Sequence, residues 1–144
     1  MTDVIAEGFD KSLILLEKVD NQIDLLPKSG ATFLLVHSAQ GVIDNGGFRY
    51  FFESNWPETP PYSRFVEAYR TIGCEKQADE LARVAGTFPF PSPHLDEESR
   101  NKYIDANLDE DEYEVKGWGD ELCGDNEVWV KLEKFYKDHA SDFA

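Results

Sequence analysis

The string Asp44-Asn45-Gly46-Gly47-Phe48-Arg49-Tyr50-Phe51-Phe52 constrains this chain more than any other, because two adjacent glycines run directly into four aromatics within five positions. Glycine loses more backbone freedom on folding than any other residue, so a pair of them beside a large apolar payload marks a fixed structural device. Asn45-Gly46-Gly47 permits a tight reversal, since Asn and Gly tolerate positive φ. Each aromatic ring behind it hides roughly 150–250 Å² when buried, which predicts Phe48, Phe51 and Phe52 as core anchors. Two local structures satisfy the string. Asn-Gly between apolar stretches is the strongest short hairpin signal, with Gly41 to Asp44 and Phe48 to Phe52 as strands. Alternatively, Phe33 to Ile43 is a buried helix that stops at Asn45-Gly46, and the string is a helix cap followed by re-entry.

The rest of the chain reads as helical. Ile5, Phe9, Leu13, Leu16 and Ile23 are spaced for an amphipathic helix within residues 3–24, which Pro27 to Gly30 break. After a rigid loop marked by Trp56-Pro57 and Pro60-Pro61, Phe65, Val66, Tyr69 and Ile72 form one stripe ended by Gly73. Ala78, Leu81, Ala82 and Ala85 form another, ended by Gly86, and both glycines stand where a left-handed cap belongs. Phe88 to Pro93 make an extended, core-covering connector. Asp96 is a fair cap for a helix through Tyr103 and Ile104. Val128, Leu132, Phe135, Tyr136, His139 and Phe143 define the clearest stripe, capped by Asp125 or Asn126. The expectation is an all-α, single compact domain of about six to eight helices with little or no sheet, comprising a core region 31–90 and an acidic region 96–144.

Charge is the global anomaly. The 144 residues hold 29 acids against 14 bases, a formal −15. Residues 1–95 carry 13 acids and 8 bases, whereas residues 96–144 carry 16 and 6, so two-thirds of the excess lies in the last third. Within 105–127 stand Asp105, Asp109, Glu110, Asp111, Glu112, Glu114, Asp120, Glu121, Asp125 and Glu127 with Lys116 as the one base. Such a field repels nucleic acid and anionic membrane and favours basic partners. No stretch of about 18 apolar residues suggests a membrane span, and the acidic N-terminus is the wrong flank for a secretory signal, so a cytoplasmic protein is expected. Cys74 and Cys123 lie apart, outside any Cys-x-x-Cys or Cys-His cluster, which predicts two reduced thiols and no zinc site.

Catalytic signatures are absent from the sequence. His37, His94 and His139 are dispersed, and His37 and His139 read as satisfied core or boundary histidines. There is no nucleophile elbow, phosphate loop or dinucleotide fingerprint. An EF-hand beginning at Asp109 would place Glu114 where glycine is needed and Asp120 where a bidentate Glu is expected, so calcium ligation fails at both diagnostic positions. No enzyme, cofactor or metal is expected. What remains is the acidity as a binding surface. Duplex DNA presents one charge per roughly 1.7 Å, and carboxylates on a rigid helical surface, whose turns repeat about every 5.4 Å, could imitate that field; acidity serving solubility alone is the competing reading.

Asn45-Gly46-Gly47-Phe48 with Phe51-Phe52 one turn later, the Pro-containing loop, a helix ending at Ile72-Gly73, a second from Gln77 to Ala85 leading to Phe88-Pro89, and the closing Glu127-Val128-Trp129, Leu132, Phe135-Tyr136 and Asp142-Phe143 together resemble the acidic bacterial DNA-mimic protein family over roughly residues 31–144. The resemblance implies an all-helical fold, which overrules the hairpin, with Asn45, Gly46, Gly47, Phe48, Phe51 and Phe52 as its structural motif. It also implies an acidic protein that imitates DNA and occupies the DNA-binding surface of a transcription factor. The expected partner is therefore a basic protein, a DNA-binding regulator or nuclease, bound through the carboxylates of 105–127, with no direct nucleic-acid contact and with a homodimer admitted. An immunity or antitoxin-like inhibitor that plugs a toxin is the alternative.

Overall fold

The computed structural model describes residues 3–144. Six α-helices follow one another: α1 (Asp3–Lys18), α2 (Lys28–Glu53), α3 (Tyr62–Thr71), α4 (Glu75–Ala85), α5 (Glu97–Ala106) and α6 (Asn126–Asp138). Short 3-10 turns at Ile23–Leu25, Pro93–Leu95 and Ala140–Phe143 connect or close them. Among the described residues there is no sheet, and the one extended pairing is an isolated bridge between Leu108 and Val115.

The glycine-aromatic string is a helix break and re-entry. Residues 41–44 and 48–53 are both helical, and α2 kinks between them, where Gly46 and Gly47 leave helical geometry. Gly47 has φ +68° and ψ −167°, a combination essentially confined to glycine. A Cβ on Gly46 would lie 2.6 Å from the Cβ of Tyr50, so the returning limb crosses too closely for any side chain there. Asn45 donates from Nδ2 to the Gly41 carbonyl at 2.8 Å, tying its side chain back onto the first limb of α2.

The returning limb carries the aromatics inward. Phe48, Phe51 and Phe52 are all buried. Phe51 meets Phe65 edge-on at 5.1 Å, and Phe52 meets Tyr62 at 4.8 Å and Trp118 at 5.2 Å. The Phe51–Phe65 and Phe52–Tyr62 pairs are edge-to-face, an arrangement that suits the quadrupoles of the rings, and Trp118 is tilted against Phe52. The kink thus lets one helix touch α1, α3, α5 and α6.

A buried cation secures the end of that limb. Arg100 of α5 is 1% exposed, and its guanidinium donates to the Phe52 carbonyl at 2.9 Å, the Pro93 carbonyl at 2.7 Å and Asn55 Oδ1 at 2.5 Å. A cation at a helix C-terminus complements the negative end of the helix dipole.

Several boundaries differ from expectation. The first helix ends at Lys18, with Asp20 and Asn21 at positive φ, and Ile23 falls in the following 3-10 turn. Residues 28–30 belong to α2, because Pro27 caps its start and Gly30 is buried in its first turn, so the break is shorter than Pro27 to Gly30. Gly73 is left-handed at φ +90°, but Gly86 stays right-handed at φ −76° because its N–H still bonds the Ala82 carbonyl. The connector from Phe88 buries that residue and is not extended throughout: Ser92 turns to φ +48° and a 3-10 turn follows. Asp96 caps α5 by accepting from the Ser99 N–H at 3.0 Å, which holds its carboxyl below the usual range. The last helix ends at Asp138, and the closing 3-10 turn delivers Phe143 to the core.

Candidate functional site

Between α5 and α6 the acidic run forms a strap across the helices instead of a helical surface. Its residues cannot continue α5, since closely spaced carboxylates repel along a helix and Gly117, Gly119 and Gly124 all take left-handed φ. The first half is a small hairpin-like turn. The Lys116 N–H donates to the Asn107 carbonyl at 2.8 Å, Asp109 N–H to the Glu114 carbonyl at 2.7 Å, and Glu112 N–H to the Asp109 carbonyl at 3.0 Å.

Four clamps hold the strap, and each of them grips its backbone. Arg49, inside the aromatic string, donates from Nη1 to the carbonyls of Glu112 at 2.5 Å and Tyr113 at 3.3 Å. Arg83 of α4 donates to the carbonyls of Gly117 at 2.8 Å and Trp118 at 2.7 Å. Gln40 donates to the Leu122 carbonyl at 2.7 Å. Asp44 accepts from the Gly124 N–H at 2.8 Å. Val115, Trp118 and Leu122 press into the core as plugs, and the Trp118 indole donates to Thr87 Oγ1 at 2.9 Å.

Asp44 is the hub of this arrangement. Its Oδ1 accepts from Gln40 as well as Gly124, and its Oδ2 accepts from the Trp129 indole of α6, each at 2.8 Å. Gln40, fully buried, also receives the Tyr69 hydroxyl at 2.8 Å. Burial, with the charges of neighbouring carboxylates adding to it, pushes the Tyr69 phenol well above its ordinary value, so it remains a donor.

The ten carboxylates singled out from sequence fall into two groups. Asp105, Glu110, Asp111, Glu112, Asp120, Glu121 and Glu127 are exposed. The other three are partly committed. Asp125 caps α6 through the Glu127 N–H at 3.0 Å and receives Gln77 Nε2 at 3.1 Å. Asp109 accepts from the Tyr113 N–H at 3.1 Å. Glu114 leans over the glycine break, with Oε1 3.5 Å from where a Gly47 Cβ would stand. Partial burial, then the charges of Asp120 and Asp109, raise its carboxyl above the ordinary range. The clamping residues Arg49, Arg83, Gln40 and Asp44 were not foreseen as part of this region. A lone arginine among core aromatics was the available signal for Arg49.

The arrangement presents charge at its surface. Among the described residues, no three His, Cys, Asp or Glu side chains gather as a metal-binding group. His37 stacks on Phe9 at 4.2 Å, and burial lowers its pKa. His139 caps α6, stacks on Phe135 at 4.2 Å and places Nδ1 2.8 Å from the Phe135 carbonyl. No helix among the described residues is long and apolar enough to cross a membrane. A separate apolar cavity of about 200 Å³ lies between α1, α2 and the proline loop, lined chiefly by Phe9, Leu13, Leu16, Leu35, Trp56 and Phe65.

The two cysteines are free and differ in environment. Cys74 is buried, and desolvation, then the charge of Glu127, lifts its thiol to about 11. Cys123 is exposed on the strap, its thiol raised by partial desolvation and then by Asp44, Asp120 and Glu114. One thiol per native chain is therefore expected to react with a disulfide reagent at neutral pH, more slowly than free cysteine, and Cys123→Ser should abolish that reaction. Two fast-reacting thiols would contradict the burial of Cys74.

The match to known families follows the fold and begins after the end of α1. A family model described as DMP19-like protein matches residues 24–142, from the first 3-10 turn to the closing one. No curated protein and no solved structure matches the chain. With the glycine break, the aromatic limb and the strap all inside the matched span, the chain belongs to the DMP19-like protein family.

Proposed function

We propose that this is a non-enzymatic acidic protein whose strap occupies the basic, DNA-binding face of a partner protein, presenting carboxylates where that partner would meet phosphates. One observation carries the reading: the strap is gripped by its backbone, while Glu110, Asp111, Glu112, Asp120 and Glu121 remain exposed. The clamping arginines are paired with carboxylates of their own helices, Arg49 with Glu53 and Arg83 with Glu80. A rigid scaffold carrying unspent charge loses little conformational freedom on binding, which is how preorganisation adds affinity.

The test is capture from native lysate at low salt with the intact chain as bait. The captured protein should be displaced by duplex DNA, and its affinity should fall steeply between about 50 and 200 mM salt, as phosphate contacts do. The variant Glu110→Gln/Asp111→Asn/Glu112→Gln, which spares the turn-forming Asp109, should fold normally and weaken capture at least about tenfold, a loss of about 1.4 kcal/mol. Equal capture by the triple variant would remove this segment from the interface. Indifference to duplex DNA would remove the mimicry.

A plug-like inhibitor is a second reading, favoured by the apolar cavity and by the exposed Leu13 and Ile14 of α1. Binding through an apolar anchor would resist salt. The same salt series therefore separates the two.

A further inference from the structure

Tyr113 is the most exposed large apolar side chain on the strap, at 77%, and it stands among Glu110, Asp111 and Glu112, which are all exposed. An aromatic ring left in water at that level is ordinary on a mobile loop. Here the backbone beneath it is fixed on both sides. The Tyr113 N–H is held by Asp109 Oδ1 at 3.1 Å, and its carbonyl is held by Arg49 at 3.3 Å. The preceding residue is locked as well, with Glu112 at φ +61°, its N–H on the Asp109 carbonyl and its own carbonyl on Arg49 at 2.5 Å. Among the described residues, the Tyr113 ring and hydroxyl have no ring contact or hydrogen bond of their own. Tyr50, adjacent in sequence to the clamping Arg49, is a second exposed ring at 48%.

We infer that Tyr113 is an aromatic anchor for an arginine of the partner, whose guanidinium lies on the ring while the flanking carboxylates accept its N–H groups. The inference rests on the acidic-surface reading above and narrows its partner chemistry from basic to arginine-bearing. A guanidinium is planar, weakly hydrated and able to stack and donate in the same pose, whereas an ammonium is a compact, strongly hydrated point charge. The carboxylates supply the bidentate acceptors that a guanidinium matches. They also repel an anionic occupant, and the fixed backbone limits the ordering cost of using the ring.

The test titrates the full-length protein with deca-arginine and with deca-lysine at 50 mM salt, following each peptide by fluorescence anisotropy. The native chain should prefer the arginine peptide by about two- to five-fold, the range given by an exposed cation–π contact. Tyr113→Phe should keep that preference, and Tyr113→Leu should reduce it by at least about two-fold at an unchanged melting temperature. A native chain that binds both peptides alike, or a Tyr113→Leu chain that keeps the preference, overturns the inference. The Glu110→Gln/Asp111→Asn/Glu112→Gln variant distinguishes the two levels. If it weakens both peptides while Tyr113→Leu changes nothing, the aromatic anchor fails and the acidic surface stands. If it binds both as tightly as the native chain, the acidic-surface reading itself fails.

Discussion

Replacing Asp44 with Ala should cost about 3–4 kcal/mol of stability, because three hydrogen bonds to one carboxylate vanish together and each such charged bond contributes about 1.5–3 kcal/mol without full additivity. The donors left behind are Gln40 Nε2, the Gly124 N–H and the Trp129 indole, from α2, the strap and α6 respectively. Gln40 keeps its second acceptor, the Leu122 carbonyl, so the damage should concentrate on Gly124 and Trp129. Urea unfolding should show a lower midpoint with an unchanged slope, and amide exchange should quicken first in residues 120–124. Asp44→Asn should lose about half as much, since one oxygen still accepts. A loss under about 1 kcal/mol for Asp44→Ala would show that the hub is not what unites these three segments.

The second large effect belongs to the kink in α2. Gly47→Ala puts a side chain at φ +68°, ψ −167°, and Gly46→Ala puts a Cβ 2.6 Å from that of Tyr50. Each should destabilise by about 2–3 kcal/mol through strain and displacement of the aromatic limb, lowering the melting temperature by about 10 °C for a chain this size. Gly41→Ala is the control. It lies in the same helix with nothing within 4 Å of its added Cβ, so it should leave stability unchanged or raise it by up to about 1 kcal/mol through helix propensity. If all three behaved alike, the kink would be an ordinary stretch of helix.

These two sites show which parts of the molecule are legible in the sequence. The core is legible, because Phe48, Phe51 and Phe52 are fixed by local rules: a glycine pair that stops a helix, and apolar spacing that restarts one. The helix caps at Asp96 and Asp125 are legible for the same reason, each bonding within three residues of itself. The strap is not. Its conformation depends on Arg49 reaching 63 residues ahead, Gln40 reaching 82 and Arg83 reaching 34, and no periodicity records such pairings. Its secondary structure is undecided from sequence, since between Asn107 and Asp125 tertiary clamps and left-handed glycines decide the backbone. The list of acids nevertheless included those that face water, because exposure of carboxylates needs no partner to predict it.

The clamps touch main-chain atoms, carbonyls at all but Gly124, and every residue offers those carbonyls. Substitutions among Glu110, Asp111, Asp120 and Glu121, and at Glu112 by residues that accept its φ of +61°, therefore leave each clamping bond in place. A lineage carrying this frame can rewrite the lettering on the strap, and with it the choice of target, without reopening the question of how the chain folds. The stretch that looks most irregular in the molecule is thereby the one where evolution, or an engineer, has the freest hand.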